Sequence, residues 1–171
     1  MQQSIKTFNC RIVGLDGCGK TTFIKRLSTG EYQRVHVPTM MLTRTSIDFY
    51  TTQGIIRFRV FEGTLFSYEN RTMDCAILMT DGCGKFVYPS ESPSCLVRVL
   101  NKSDLYNGKF HSRDHDILKE WENDEIIKVS AKLNYNLQEP FLVLIKQLIN
   151  STTVEFLQAP PVDVQDALLL D

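Results

Sequence analysis

No stretch of the 171 residues approaches the roughly 18 consecutive apolar residues that a membrane-spanning helix requires, and no apolar leader opens the chain. Charge of either sign is not in excess: 19 Lys and Arg stand against 20 Asp and Glu, so a net charge of −1 draws the chain neither to nucleic acid nor to an anionic membrane. The cysteines at positions 10, 18, 75, 83 and 95 contain no C-x-x-C pair, a usage that suits reduced thiols in a reducing compartment. There Cys18 is an inert small side chain by default, and the sequon Asn150-Ser151-Thr152 carries no meaning. His111 and His115 have no further His or Cys nearby and read as a solvated helix start rather than a metal pair. The chain ends Ala167-Leu168-Leu169-Leu170-Asp171, without the cysteine of a prenyl anchor. Neither a membrane anchor nor direct nucleic-acid binding is expected, and a monomer is. A hydrophobic content of 43% supplies one sizeable core. One domain is expected over residues 1–151, with a tail over 152–171 whose Pro160-Pro161 and mixed polar residues predict loose packing or none.

Against that plain background one segment stands out. Gly14-Leu15-Asp16-Gly17-Cys18-Gly19-Lys20-Thr21-Thr22 fits the pattern G-x-x-x-x-G-K-[ST], preceded by an apolar strand over 8–13 and followed by a helix start over 22–27. A strand that turns through glycines into a helix aims several backbone N–H groups at one point, and the helix dipole adds about half a positive charge there. The site suits phosphate, with Lys20 reaching the outer phosphates and the Thr21 hydroxyl a ligand for Mg²⁺.

Two later segments speak to the base. Asn101-Lys102-Ser103-Asp104 follows the apolar run 95–100 and so lies at the carboxyl end of a strand, where open α/β sheets bind ligands. The Asp104 carboxylate can accept two N–H bonds from a guanine edge, with Asn101 and the Lys102 stem framing the base. Ser130-Ala131-Lys132 follows the strand 126–129 and could offer backbone N–H groups to the base carbonyl. Three such segments in this order point to GTP or GDP with Mg²⁺. A P-loop kinase of small metabolites would instead prefer ATP and carry a mobile arginine-bearing lid, for which no segment is visible. Asp81-Gly82-Cys83-Gly84-Lys85 repeats residues 16–20, but Met79 and Phe86 stand where the full pattern needs Gly and Ser or Thr; a turn is expected.

With these motifs the chain resembles a small GTPase, and more narrowly the Ran family of nuclear transport GTPases. The likeness runs over most of residues 8–158. It is strongest in the phosphate loop continuing through Phe23-Ile24-Lys25-Arg26 to Thr29-Gly30-Glu31-Tyr32, in Ser130-Ala131-Lys132-Leu133-Asn134-Tyr135-Asn136 with Pro140-Phe141-Leu142, and in Val154-Glu155-Phe156-Leu157. The resemblance implies a second Mg²⁺ ligand at Thr39, on a mobile loop over 32–38, and transport receptors or Ran regulators as partners. It also implies residence in nucleus and cytoplasm. Departures accompany it. The family's D-T-A-G-Q segment is replaced by Phe61-Glu62-Gly63-Thr64-Leu65-Phe66, in which Glu62 could stand in for the Asp and no glutamine remains to orient water, so hydrolysis is expected to be slow. The tail keeps only Asp163, Asp166 and Asp171 of an acidic cluster, and residues 119–125 are acidic on balance where the family is basic.

The expected architecture is α/β: a three-layer P-loop GTPase fold with a mostly parallel, six-stranded sheet and helices on both faces. Residues 43–50 and 54–61 form an antiparallel pair. A short helix fits between 62 and 73, and a surface helix over 112–121 turns Ile117, Leu118 and Trp121 inward. One crossover helix is lost over 81–94, where Pro89 and Pro93 oppose it. The last helix is capped by Asn136 with Glu139 and buries Phe141, Leu144, Ile145 and Leu148.

Overall fold

Six strands form one sheet in the order β2-β3-β1-β4-β5-β6 in the computed structural model, which describes residues 5–32, 34, 42–63, 72–83, 93–106 and 125–159. β1 (Ile5–Val13) sits centrally, parallel to β3 (Gly54–Glu62) on one side and to β4 (Cys75–Thr80) on the other. β4 continues in parallel to β5 (Cys95–Leu100), and β5 to β6 (Ile126–Lys128). Only β2 (Thr43–Thr51) runs antiparallel, paired with β3 through the turn before Gly54. The mixed α/β fold with a mostly parallel sheet expected from the sequence is the observed one, and it has the form of a P-loop small GTPase.

β1 begins three residues before its apolar run because Ile5, Lys6 and Thr7 pair in register with Ile55, Ile56 and Arg57. Backbone hydrogen bonds, rather than burial, hold that start. Further along, alternation decides which side chains enter the core: Cys10 and Ile12, Phe58 and Val60, Ile77 and Met79, and Val97 and Val99 all bury on one face. Helix α1 (Lys20–Thr29) and helix α2 (Glu139–Leu148) cover that face together. Phe23 of α1 stacks on Phe141 of α2 at 6.1 Å and 7°, and Phe141 meets Phe49 and Phe58 of the sheet at 5.0 and 5.1 Å. On the opposite face Val13 and Leu78 bury with Leu96 and Ile126 packed beside them. Most of the short helix expected between 62 and 73, the surface helix expected over 112–121 and the middle of the crossover at 81–94 lie outside the described residues.

Across the outer face of the β2–β3 pair, the Arg57 guanidinium grips Asp48 through two bonds of 2.7 Å and holds its carboxyl below the ordinary aspartate value. The two residues are direct register partners, so this exposed pair marks the strand register more than it adds stability.

Two sequence expectations are corrected. Asn136 does not cap the last helix. It adopts φ 58° and donates its amide to the Lys128 carbonyl at 3.1 Å, while α2 starts two residues later with Gln138 at the N-cap and Pro140 in its first turn. The start of the tail is not loosely packed either. Val154 is fully buried, and Phe156 stacks on Phe49 at 5.1 Å. Thr52 N–H donates to the Glu155 carbonyl at 3.0 Å, and Leu157 N–H to the Tyr50 carbonyl at 2.7 Å. Two apolar side chains spaced to reach the aromatic cluster outweigh the polar composition around them. Residues 160–171 lie outside the described residues.

Candidate functional site

The loops after β1, β5 and β6 meet at the carboxyl edge of the parallel strands, beside the central strand where the chain order of the sheet reverses. Residues 14–19 link β1 to α1. Gly14 is confined by contact: a Cβ there would lie 2.2 Å from the Met79 carbonyl oxygen and 2.8 Å from the Cys18 sulfur. Gly19 has φ 94°, a left-handed conformation that side chains rarely adopt, and its Cβ would come within 2.5 Å of the Asn101 amide nitrogen. Gly19 also occupies the N-cap of α1, so the N-cap residue offers no side chain to the first-turn amides, and no acidic residue stands in that turn with Thr21 and Thr22. Leu15 and Gly17 are half-buried, and Asp16 is exposed on the loop's outer bend. Cys18 is buried beneath it, and burial pushes its thiol up to about 11; it packs, and is not a reactive thiolate.

Lys20 arches back along the loop, its ammonium donating to the carbonyls of Gly14 and Leu15 at 2.9 and 3.0 Å. The Thr21 hydroxyl donates to the carboxylate of Glu62. Glu62 ends β3 opposite Ile12 and is only 3% exposed. Burial raises its pKa above the ordinary glutamate value, opposed by the Thr21 hydrogen bond and by the positive charge of Lys20. A buried carboxylate touching a helix-start hydroxyl is a pair of hard oxygens, the donor type that Mg²⁺ takes alongside phosphate. The glycine-rich loop, the helix start with glycine at its N-cap and this oxygen pair fit a magnesium-bound phosphate chain. Thr39, the second expected Mg²⁺ ligand, lies outside the described residues.

On the base side, Asn101 is 1% exposed and its amide joins two loops, donating to the Cys18 carbonyl at 3.0 Å and accepting from the Ala131 N–H at 3.3 Å. Asn101 thus ties the phosphate loop to the 130–132 segment, and the Ala131 N–H is directed to Asn101. Lys102 donates to the Gly17 carbonyl at 2.7 Å and to Asp81 at 2.6 Å. Asp104 accepts from the Ser130 hydroxyl at 2.6 Å, with the Lys132 ammonium 3.7 Å away. All the expected residues on the described loops therefore gather in one place, laced by side chains from three connections.

Sequence reasoning passed over Asp81 and Tyr106. The Tyr106 hydroxyl donates to the Asp81 carbonyl, and the Asp81 carboxylate takes Lys102. The available signal was an acid in the first position after a buried strand, at the same sheet edge as the two recognised loops. The Asp81-Gly82-Cys83 part of the repeat is a bend with Gly82 at φ 80°, in keeping with the expected turn. Residues 84 and 85 lie outside the described residues.

Residues 1–62 match the sequence model of Arf, the ADP-ribosylation factor family. The matched stretch runs from the start of the chain through the phosphate loop and both strands of the β2–β3 pair to Glu62, about a third of the sequence. It indicates a small GTP-binding protein of the Ras/Arf superfamily. That is a coarser placement than the Ran family suggested by the motifs, and the match gives that narrower assignment no support.

Proposed function

We propose that this small GTP-binding domain holds GTP or GDP with Mg²⁺ across the loops at 14–22, 101–104 and 130–132 and works as a nucleotide-dependent switch. The observation that carries the reading is the buried Asn101 amide, which joins the Cys18 carbonyl to the Ala131 N–H and so couples a phosphate-shaped loop to a base-selecting one. In this reading the backbone amides of the loop other than Cys18, whose N–H closes a turn on the Leu15 carbonyl, receive the phosphates, and Lys20 turns from the Gly14 and Leu15 carbonyls toward the outer ones. Thr21, supported by Glu62, and Thr39 would hold Mg²⁺, which would neutralise charge on the outer phosphates. Asp104 accepts from the guanine edge, kept in place by Ser130 and Lys132. The motif likeness to Ran favours a role in nucleocytoplasmic transport, with transport receptors or Ran regulators as partners and residence in nucleus and cytoplasm.

One sequence fact favours a second reading in which the chain binds nucleotide without efficient hydrolysis and acts as a scaffold or decoy for such partners. Residues 61–71 contain no glutamine, and Gly63 follows Glu62 directly where a sensing glycine would need other spacing. Loss of a water-positioning group lowers rates on the order of 10²–10⁴. Single-turnover hydrolysis of preloaded GTP with Mg²⁺ separates the two. A cycling switch converts the bound GTP within hours; the scaffold reading predicts GTP still intact after that time, and capture of the same partners in either nucleotide state.

A further inference from the structure

Asp81 belongs to the repeat of the phosphate-loop motif, which neither the loop nor the base site absorbs. Its side chain is half-buried, 14% exposed, and one carboxylate oxygen lies 2.6 Å from the Lys102 ammonium. The other accepts the Cys83 N–H at 3.2 Å, which fixes the carboxylate's direction. The same ammonium donates to the Gly17 carbonyl at 2.7 Å, so one cation spans from the end of β4 to the phosphate loop. Lys102 itself sits at φ 57°, a left-handed backbone that a lysine holds only when its surroundings over-determine it. Among the bonds of its side chain, the charged one to Asp81 is the stronger kind. Behind Asp81 the bend is closed by the Tyr106 hydroxyl on the Asp81 carbonyl, and a Cβ on Gly82 would lie 2.2 Å from that hydroxyl. Replacing the repeat's glycine would push these parts asunder.

We infer that Asp81 is a positioning residue for guanine-nucleotide retention, acting through Lys102 to hold the phosphate loop and the base loop in one arrangement. This rests on the nucleotide reading above. With Asp81 in place, Lys102 cannot swing from the Gly17 carbonyl, and the stretch leading to Asp104 keeps its turn. Without that charge the ammonium retains one neutral acceptor, half-exposed to water, and the two loops separate more easily. The effect falls on release rather than on encounter, because both carboxylate oxygens of Asp81 face protein groups.

Release and association of fluorescent N-methylanthraniloyl GDP with the full chain test this in four proteins. Asp81→Asn keeps the shape and removes the charge; its release is expected to be about tenfold faster, with association changed less than about threefold. Asp81→Glu keeps the charge and is expected to recover part of the retention. Tyr106→Phe opens the same bend without touching the carboxylate and is expected to release at the rate of the unsubstituted protein. Unchanged release from Asp81→Asn overturns the inference, as does equally fast release from Tyr106→Phe, which would make Asp81 a structural bend residue only. If the unsubstituted chain binds no GDP, the nucleotide reading falls and this inference with it.

Discussion

Gly14→Ala is expected to melt far below the unsubstituted protein and to lose nucleotide binding by more than a hundredfold. The added Cβ would stand 2.2 Å from a backbone carbonyl oxygen, that of Met79 in the fully buried strand β4, and a strand hydrogen-bonded on both sides cannot yield. Overpacking of this kind costs about 1–3 kcal/mol where side chains can adjust, and more where the obstacle is backbone. The companion variant Gly17→Ala separates collision from conformation. Gly17 has φ 76° and, among the described residues, nothing within 4 Å of a Cβ, so only left-handed strain of about 1–2 kcal/mol is expected, a few degrees of melting temperature for a domain of this size. Melting curves of the two variants without nucleotide check the order. Equal, small shifts would mean that the loop is not packed against β4 as described.

Glu62→Gln is expected to change stability and metal binding in opposite directions. The carboxyl is 3% exposed and its pKa is raised chiefly by burial, so its charged form carries a desolvation penalty. Glutamine keeps the shape and can still accept from Thr21, so without metal the variant is expected to melt higher by a few degrees, on the scale of about 1 kcal/mol. With GDP present, loss of the negative charge beside Thr21 is expected to weaken Mg²⁺ binding tenfold or more. Titration of Mg²⁺ into the GDP complex by calorimetry, beside melting curves in EDTA, reads both. A variant that melts lower in EDTA and binds Mg²⁺ unchanged would remove Glu62 from the metal site.

Much of this was legible in the sequence because its signals are local. The phosphate loop is nine contiguous residues, and the strands carrying it and the base loops are short apolar runs whose boundaries held to within a few positions. What sequence missed depends on partners distant in the chain. Asn101 was read as framing a base, and only the fold shows that its amide also joins Cys18 and Ala131, 83 and 30 residues away. Asp81 sat in a repeat that failed its pattern, and its value lies in a lysine 21 residues on. Asn136 and Glu139 matched a capping signature, but tertiary contact with Lys128 drew the asparagine into a left-handed turn instead. The tail start read as polar, while two residues, Val154 and Phe156, found the aromatic cluster. Local patterns fix elements; long-range pairings assign their tasks.

In the proposed reading the three laced loops select guanine, with selection turning on Asp104. The decisive measurement is the melting temperature of nucleotide-stripped protein in Mg²⁺ with GTP, GDP or ATP, repeated for Asp104→Asn. Ligand at about 100 times Kd adds roughly 2.7 kcal/mol, several degrees here. The account predicts that rise with GTP and GDP, none with ATP at the same concentration, and loss of the guanine preference in Asp104→Asn. An equal rise with ATP, or no rise with any nucleotide, would contradict it.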